Sequence, residues 1–291
     1  MQVELNSPCK VNFILNILGK RADGFHELET VMHPVPVYDA LRFERAGSGI
    51  QLACDHPGLP VDSSNLVYRA ALLFTQEAKI SDGVRIHLAK RIPLAAGLGG
   101  GSGNAATTLR GLNQLFGNPL EPARLAAIAA GLGSDVPFFL QDQSALATGR
   151  GEKVEPLAPF KSLVGVHILL VHPGFGVSTP WAYKNLARFP ADLNGERGRA
   201  RRLVEQLEVS LSGARSDFYN SLEAPVFEKF PLLAIFRDFL AENGASISMM
   251  SGSGSTVFAL VEGQRKAEAL SEQFREKFGD SCWMTAVPLR S

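Results

Sequence analysis

Cysteine is scarce: Cys9, Cys54 and Cys282 are the 3 cysteines in a chain of 291 residues. No CxxC pair or Cys/His cluster exists, so neither a disulfide framework nor a structural zinc site is suggested. No excess of either charge exists, because 29 Lys and Arg balance 29 Asp and Glu. A broad nucleic-acid footprint and a polyanionic tail are therefore not expected. Long apolar runs are missing too. The longest uncharged stretch, Ser162–Tyr183, is broken by Pro173, Gly174, Gly176 and Pro180, and its apolar part LVGVHILLV is strand-sized. Near the N-terminus, MQVELNSPCK puts Glu4 where a signal peptide would be basic and then apolar. The expectation is a cytoplasmic protein with no membrane, nucleic-acid or protein partner implied.

What is present is ordinary for a folded chain: 45% hydrophobic and 20% charged residues. The length favours two modest domains or one large one. Between Lys10 and Leu18, Lys10, Asn12 and Asn16 fall on even positions and Val11, Phe13, Leu15 and Ile17 on odd ones. This period of two predicts a strand with Lys10 and Asn12 on one face, about 6.5–7 Å apart, opposite an apolar face. Short strands are expected near Glu27–Val31, Ala40–Arg45 and Val84–Leu88. A helix over Asn65–Lys79 would be capped from Asp62-Ser63-Ser64 and bury Leu66, Ala70, Leu73 and Phe74. A second helix starts near Ser102 and stops at Gly117-Asn118-Pro119, and a third covers Pro122–Ala130. The charged, Gly- and Pro-containing stretch Gly149–Lys161 suggests a boundary, giving domains 1–155 and 156–291.

The second half reads as a buried strand over Leu163–Val171, a helix over Thr179–Arg188 and an exposed loop, ADLNGERGRARR, leading to a helix near Leu203–Leu207. Helices around Pro225–Glu242, strands at Ile247–Met250 and Thr256–Val261 about the loop SGSGS, a helix over Gln264–Phe278 and a closing strand Trp283–Leu289 follow. Without regular βα alternation the fold class is α+β.

The strongest local feature is IPLAAGLGGGSGNAATTL, Ile92–Leu109, with 5 glycines in the 7 residues Gly97–Gly103, opening into a helix. Glycines let backbone N–H groups approach an anion, and the helix adds unpaired N–H groups and its positive dipole end. Phosphate is the natural guest; a flexible loop before a well-capped helix is the plainer alternative. A Walker A loop fails because Gly19-Lys20 is followed by Arg21. The dinucleotide fingerprint fails because Ser102 or Asn104 occupies its third glycine position, and the HRD and DFG motifs of protein kinases are absent.

Four blocks carry a wider resemblance: SPCKVNFILNILGKRADGFHELET (Ser7–Thr30), PLAAGLGGGSGNAAT (Pro93–Thr107), LGSDVPFFL (Leu132–Leu140) and SGSGSTVFAL (Ser251–Leu260). In this order they resemble the GHMP small-molecule kinases. The first block is similar, more narrowly, to the family among them that phosphorylates the 2-hydroxyl of a cytidyl-diphospho methylerythritol in non-mevalonate isoprenoid synthesis. The resemblance spans almost the whole chain. It implies an N-terminal domain like part of a ribosomal protein, a C-terminal helix-flanked antiparallel sheet, and a cleft between them for ATP and substrate.

The resemblance also implies residue roles. Asp135 matches the catalytic aspartate that orients the hydroxyl and takes its proton; a turn or N-cap aspartate is the alternative. Lys10 matches its partner lysine, against the alternative of a surface lysine on a strand. Asn12 would contact substrate or support the Lys–Asp pair. Phe25 would stack on cytosine, His26 would hydrogen-bond its polar edge, and Tyr183 would supply the opposite wall. Otherwise these are core aromatics and a loop histidine. Pro93, Leu94, Ala95, Ala96, Gly97, Leu98, Gly99, Gly100, Gly101, Ser102, Gly103 and Asn104 would bind ATP. Mg²⁺ would bridge its phosphates with no protein ligand assigned. Gly252–Ser255 would close on substrate phosphates or shape the cleft, or form a tight strand-to-strand turn.

Three residues depart from that family's usual pattern. Cys9 replaces alanine beside Lys10 and suggests a thiol-sensitive site, Phe25 replaces tyrosine, and Gly103 replaces a second serine. Two other functions compete. A GHMP kinase for homoserine or mevalonate would have no need of GKRADGFH or of Tyr183, and a sensor of the same fold need not keep Lys10 and Asp135.

Overall fold

The computed structural model describes residues 2–289. The chain opens with two long strands, β1 (Gln2–Lys20) and β2 (His26–Ala46). The two short strands expected within 27–45 are thus parts of one. Pro34 and Pro36 are tolerated because β2 pairs with later strands at Leu28–Met32 and at Ala40–Ala46, leaving the prolines between the two ladders. There follow β3 (Ile50–Cys54), α1 (Leu66–Glu77), β4 (Gly83–Ala89), α2 (Gly100–Leu115), α3 (Pro122–Leu132), β5 (Ala145–Gly149), β6 (Lys153–Pro156) and β7 (Val166–His172). Next come α4 (Thr179–Leu186), α5 (Pro190–Leu193), α6 (Arg199–Val209), α7 (Leu211–Ala214), β8 (Tyr219–Asn220), α8 (Glu223–Lys229) and α9 (Pro231–Glu242). The chain ends with β9 (Ile247–Met250), β10 (Val257–Glu262), α10 (Gln264–Phe278) and β11 (Trp283–Pro288). Among the described residues no helix is long and apolar enough to cross a membrane.

Two compact units emerge, and neither is continuous in sequence. One comprises the residues up to Cys9, Val37–Ile92 and Gly99–Asp142; the other comprises Lys10–Pro36, Pro93–Leu98 and the chain from Gln143 onward. A linear cut near residue 155 does not describe this grouping. The stretch Gly149–Lys161 instead contains the turn and second strand of the β5–β6 hairpin.

In the first unit β3 runs parallel to β4, which pairs antiparallel with Ala40–Ala46 of β2. Helices α1, α2 and α3 pack on one another. Asn65 caps α1, its Oδ1 accepting from the Val67 N–H at 2.8 Å. Asp62 is occupied instead by the amide and hydroxyl of Ser64. The buried face of α1 is Val67, Ala70, Ala71 and Phe74, with Leu73 exposed, which corrects the expected stripe. Helix α2 begins at Gly100, not Ser102, because Gly99 takes the left-handed conformation at its N-cap.

The second unit holds the antiparallel sheet β11-β7-β10-β9 with α9 and α10 packed on it. It also holds the Leu28–Met32 part of β2 with β5, and a short parallel pairing of β1 with β8 at Ile14–Tyr219 and Leu15–Asn220. Strand β7 starts at Val166, because Lys161–Leu163 forms a 3₁₀ turn. The expected exposed loop ADLNGERGRARR holds only for its middle, residues 194–198; its start lies in α5 and its end is the first turn of α6. No local Ser, Thr, Asp or Asn marks the start of α6, whose N-cap is Gly198. Its capping acceptor is Glu29, far away in the sequence.

Helix–strand packing in the first unit leaves no room at Gly111, where an added Cβ would lie 2.3 Å from the Phe43 ring. Gly111→Ala should cost about 1–3 kcal/mol of stability by overpacking, read as a lower urea midpoint with unchanged slope. An unchanged midpoint would contradict this packing.

Candidate active site

From Cys9 to Ile17 strand β1 is buried on both faces, so the polar positions there must be satisfied internally. Lys10 is only 3% exposed, which removes the surface-lysine alternative. Its Nζ donates to Asn12 Oδ1 at 2.6 Å and lies 3.4 Å from the Gly97 carbonyl oxygen. Asn12 Nδ2 donates to Thr30 Oγ1 at 2.8 Å, and that hydroxyl donates to the Ile14 carbonyl at 2.5 Å. Since the amide nitrogen is engaged by Thr30, the amide oxygen is the end that faces Lys10. The predicted same-face pair is thus observed as a direct hydrogen bond.

The glycine-rich segment divides at Leu98/Gly99. Its first part, Pro93–Leu98, is built into the second unit against the SGSGS loop between β9 and β10. Ser251 Oγ donates to the Gly97 carbonyl at 3.0 Å, and the Thr256 N–H donates to the Ala96 carbonyl at 3.1 Å. Gly97 has φ +75°, and an added Cβ would fall 2.1 Å from the Ser251 carbonyl oxygen, so only glycine fits. Gly252, with φ +56°, is less crowded: its Cβ position lies 3.0 Å from the Gly97 carbonyl oxygen and 3.4 Å from both Lys10 Nζ and Asn12 Oδ1. Asn220 Nδ2 fixes the loop through the carbonyls of Met250 and Gly252, each at 2.8 Å. At the start of α8, a Glu223 oxygen accepts from the Met250 N–H at 2.7 Å. Burial pushes that carboxyl up to about 7, against the lowering effect of the Met250 and Arg237 contacts.

The second part, Gly99–Asn104, opens α2 in the first unit. The Gly103 N–H makes the first helical bond, to the Gly99 carbonyl at 2.9 Å, and no side chain caps the helix. The amides of Gly99 to Ser102 therefore have no intrahelical partner and are available to an anion. Gly101 is exposed, and Gly99, Gly100 and Ser102 are half-buried. Gly103 and Asn104 face inward. A Cβ on Gly103 would lie 2.7 Å from the Pro8 carbonyl oxygen, so the position fits glycine and presents no hydroxyl. Asn104 Nδ2 donates to Ser7 Oγ at 3.0 Å and to Asp39 Oδ2 at 2.9 Å. Asp39 also receives Lys90 Nζ at 2.5 Å and the N–H groups of Arg91 and Ile92. This fully buried, saturated carboxylate braces the start of α2.

Asp135 lies half-buried in the turn between α3 and a short 3₁₀ helix, Pro137–Leu140. The cap position of that helix is Val136, with no side-chain cap, so N-capping does not account for the aspartate. In the second unit Tyr183 on α4 packs against His26, ring centroids 5.1 Å apart and tilted by 38°. Phe25 is 51% exposed, and the Arg150 guanidinium lies over its ring at 4.6 Å. Phe25 thus meets Arg150, and Tyr183 meets His26. Burial, then the nearby Lys20 charge, holds the His26 imidazole below its ordinary pKa. Cys9 is fully buried, which overturns the expected thiol sensitivity: a reagent cannot reach it in the folded chain.

Comparison with known proteins gives these parts a setting. The family descriptions "GHMP kinases N terminal domain" and "GHMP kinases C terminal" match residues 65–143 and 196–280. A 4-diphosphocytidyl-2-C-methyl-D-erythritol kinase from Synechococcus sp. (strain JA-3-3Ab) is 40% identical over 285 residues, covering 95% of this chain and 91% of the relative. The chain belongs to this family of GHMP kinases. A crystal structure of 4-(cytidine 5'-diphospho)-2C-methyl-D-erythritol kinase superposes with TM-score 0.81 at 36% identity, covering 98% of both chains. A homoserine kinase from Cytophaga hutchinsonii superposes with TM-score 0.74 at 19% identity, covering 98% of this chain and 93% of that one, a likeness of fold.

Within this kinase chain, several residues that organise these parts escaped the sequence reading: Thr30, Asp39, Lys90, Asn220 and Arg150. Each acts through a partner distant in sequence; Thr30 closes the first motif block without a role of its own there, and the other four stand outside the blocks. The neutral preference of His26 has a definite sign. As pH falls through the ordinary histidine range, the unfolded chain takes the proton first, so the imidazole's contribution to stability declines. The NMR titration of His26 should have its midpoint below that of a free imidazole, and Tyr183→Ala should raise it. A midpoint unmoved by Tyr183→Ala would show that Tyr183 does not shield the ring.

Proposed function

We propose that this kinase transfers the γ-phosphoryl group of ATP to the 2-hydroxyl of 4-diphosphocytidyl-2-C-methyl-D-erythritol, giving the 2-phosphate and ADP. One observation carries the reading: the chain matches a kinase of that name along 95% of its length at 40% identity. The product serves non-mevalonate isoprenoid precursor synthesis. The proposed partners are therefore two small molecules, and the proposed location is the cytoplasm.

In the proposed mechanism Asp135 accepts a hydrogen bond from the 2-hydroxyl and takes its proton as the new O–P bond forms and the bond from the γ-phosphorus to the bridging oxygen breaks. Lys10, held by Asn12 Oδ1 and the Gly97 carbonyl, is the proposed partner cation of Asp135 in the reaction. When the phosphoryl transition state is loose, positioning of the hydroxyl matters more than early proton removal. The unpaired amides of Gly99, Gly100, Gly101 and Ser102 cradle the phosphates of ATP. Ala95, Ala96, Leu98, Gly103 and Asn104 shape the segment, and Pro93, Leu94 and Gly97 support it. Among the described residues no group of three or more His, Cys, Asp or Glu side chains could hold a metal. The proposed Mg²⁺ would come with ATP and would offset the charge of its phosphates, with no residue of the chain assigned to it.

Phe25, His26 and Tyr183 are the proposed base-recognition group. The neutral imidazole favoured by burial has one N–H donor and one acceptor nitrogen, suited to the polar edge of cytosine. Asn12 supports Lys10 as the structure has it and is proposed to stand beside the reacting alcohol.

Asp135→Ala should lower kcat on the cytidyl substrate by at least about 10²-fold while leaving its Kd within a few-fold. Lys10→Met should lower kcat in the same assay. Normal turnover by Asp135→Ala would remove the proposed base, and binding without turnover by the unaltered protein would indicate a sensor.

A further inference from the structure

Glu29 is 8% exposed and stands on β2 three positions beyond His26. Its Oε1 accepts from the Ala200 N–H at 3.0 Å and from Asn16 Nδ2 at 2.9 Å, and its Oε2 accepts from the Gly198 N–H at 3.0 Å. The carboxylate thus fills the N-terminus of α6 from another element, where a negative charge also opposes the helix dipole. The arginines of that first turn are engaged elsewhere. Arg199 reaches the Ser216 carbonyl, Arg201 pairs with Glu155, and Arg202 pairs with Asp217.

The anchoring continues into the preceding loop. Asn16 Nδ2 also donates to the Glu196 carbonyl at 2.7 Å, and the Gly195 N–H donates to the Ile17 carbonyl at 2.8 Å. Contact is close enough that a Cβ on Gly195 would sit 1.9 Å from Asn16 Oδ1. Upstream, the same segment begins at α4. Tyr183, Phe189 and Leu193 pack against the core that contains Leu15, Ile17 and Leu28. The chain from Tyr183 to Ala200 is therefore laid along β1 and β2 and tied at its far end by one carboxylate.

We propose that Glu29 is a positioning residue for base recognition, holding the Tyr183-bearing segment in register with the strand that carries His26. The inference rests on the proposed role of Phe25, His26 and Tyr183. Glu29 touches no substrate; it acts through the backbone of residues 195–200. Both oxygens must accept, so an amide in its place directs an NH₂ group at a backbone N–H.

The test compares Glu29→Gln and Glu29→Ala with the unaltered kinase, the Gln variant covering the event that Ala fails to fold. Steady-state kinetics with MgATP and the cytidyl substrate are measured beside the His26 NMR titration. The expected result is a cytidyl KM raised about 10-fold or more in Glu29→Ala, an intermediate rise in Glu29→Gln, a smaller fall in kcat and an unchanged KM for ATP. His26 should titrate closer to a free imidazole as Tyr183 withdraws. Unchanged cytidyl KM and His26 midpoint in a folded variant would overturn the proposal, as would equal losses in both substrates' KM. Phe25→Ala and Tyr183→Ala run alongside. If they raise the cytidyl KM and the Glu29 variants do not, this proposal alone fails. If they too leave it unchanged, the base-recognition reading fails and takes this proposal with it.

Discussion

An ammonium group withdrawn from water must be met by oxygen atoms, and the first two strands are arranged around meeting that demand at Lys10. Asn12 turns its amide oxygen to the charge because Thr30 holds the amide nitrogen, and Thr30 is itself fixed by the Ile14 carbonyl. The Gly97 carbonyl brings the glycine segment to the same cation, and Ser251 holds that carbonyl from the SGSGS loop. Four separated stretches of sequence are thereby linked through one charged atom and its two acceptors. A chain that spends its first buried strand in this way restricts what can be changed near Lys10, since each partner depends on the next.

The glycine segment does two different jobs, and the structure separates them. Gly97 is required for close approach, since its neighbour is the Ser251 carbonyl oxygen, and Gly103 packs against Pro8. Gly99 to Ser102 offer unpaired amides, made possible by the left-handed Gly99 at the N-cap. Asp39 and Lys90 sit behind them as a buried pair with Asn104 completing the network. Removing one member of such a pair typically costs about 3–5 kcal/mol, because the other charge is left uncompensated.

The α+β class, the Lys10–Asn12 face and most helix positions were legible in the sequence, because periodicity and turn residues record local preference. Strand β2 was not read as one element, since Pro34 and Pro36 signal a break that the split between its two ladders removes. On α1 the cap is Asn65, not Asp62-Ser63-Ser64, and packing against neighbouring elements, which local pattern does not record, buries Val67 and Ala71 and leaves Leu73 exposed. The start of α6 was invisible, because its cap is the carboxylate of Glu29 and not a neighbouring side chain. The discontinuous units were equally hidden: which strand a six-residue segment such as Pro93–Leu98 joins is decided by hydrogen bonds to distant residues. The candidate site followed the same rule. The motif blocks mark where the site lies, but not which of their residues, such as Thr30 and Ser251, hold the others in place through distant partners.

The central claim is that this chain phosphorylates the 2-hydroxyl of the cytidyl-linked alcohol. Its most direct test offers MgATP with that substrate, with homoserine and with mevalonate, follows ADP release, and locates the new phosphate by ³¹P NMR. The account expects turnover confined to the cytidyl substrate, with a new monoester at its 2-position. Turnover on homoserine or mevalonate instead would contradict the substrate and the assignment of Phe25, His26 and Tyr183, while keeping the GHMP fold and the proposed Lys10–Asp135 chemistry.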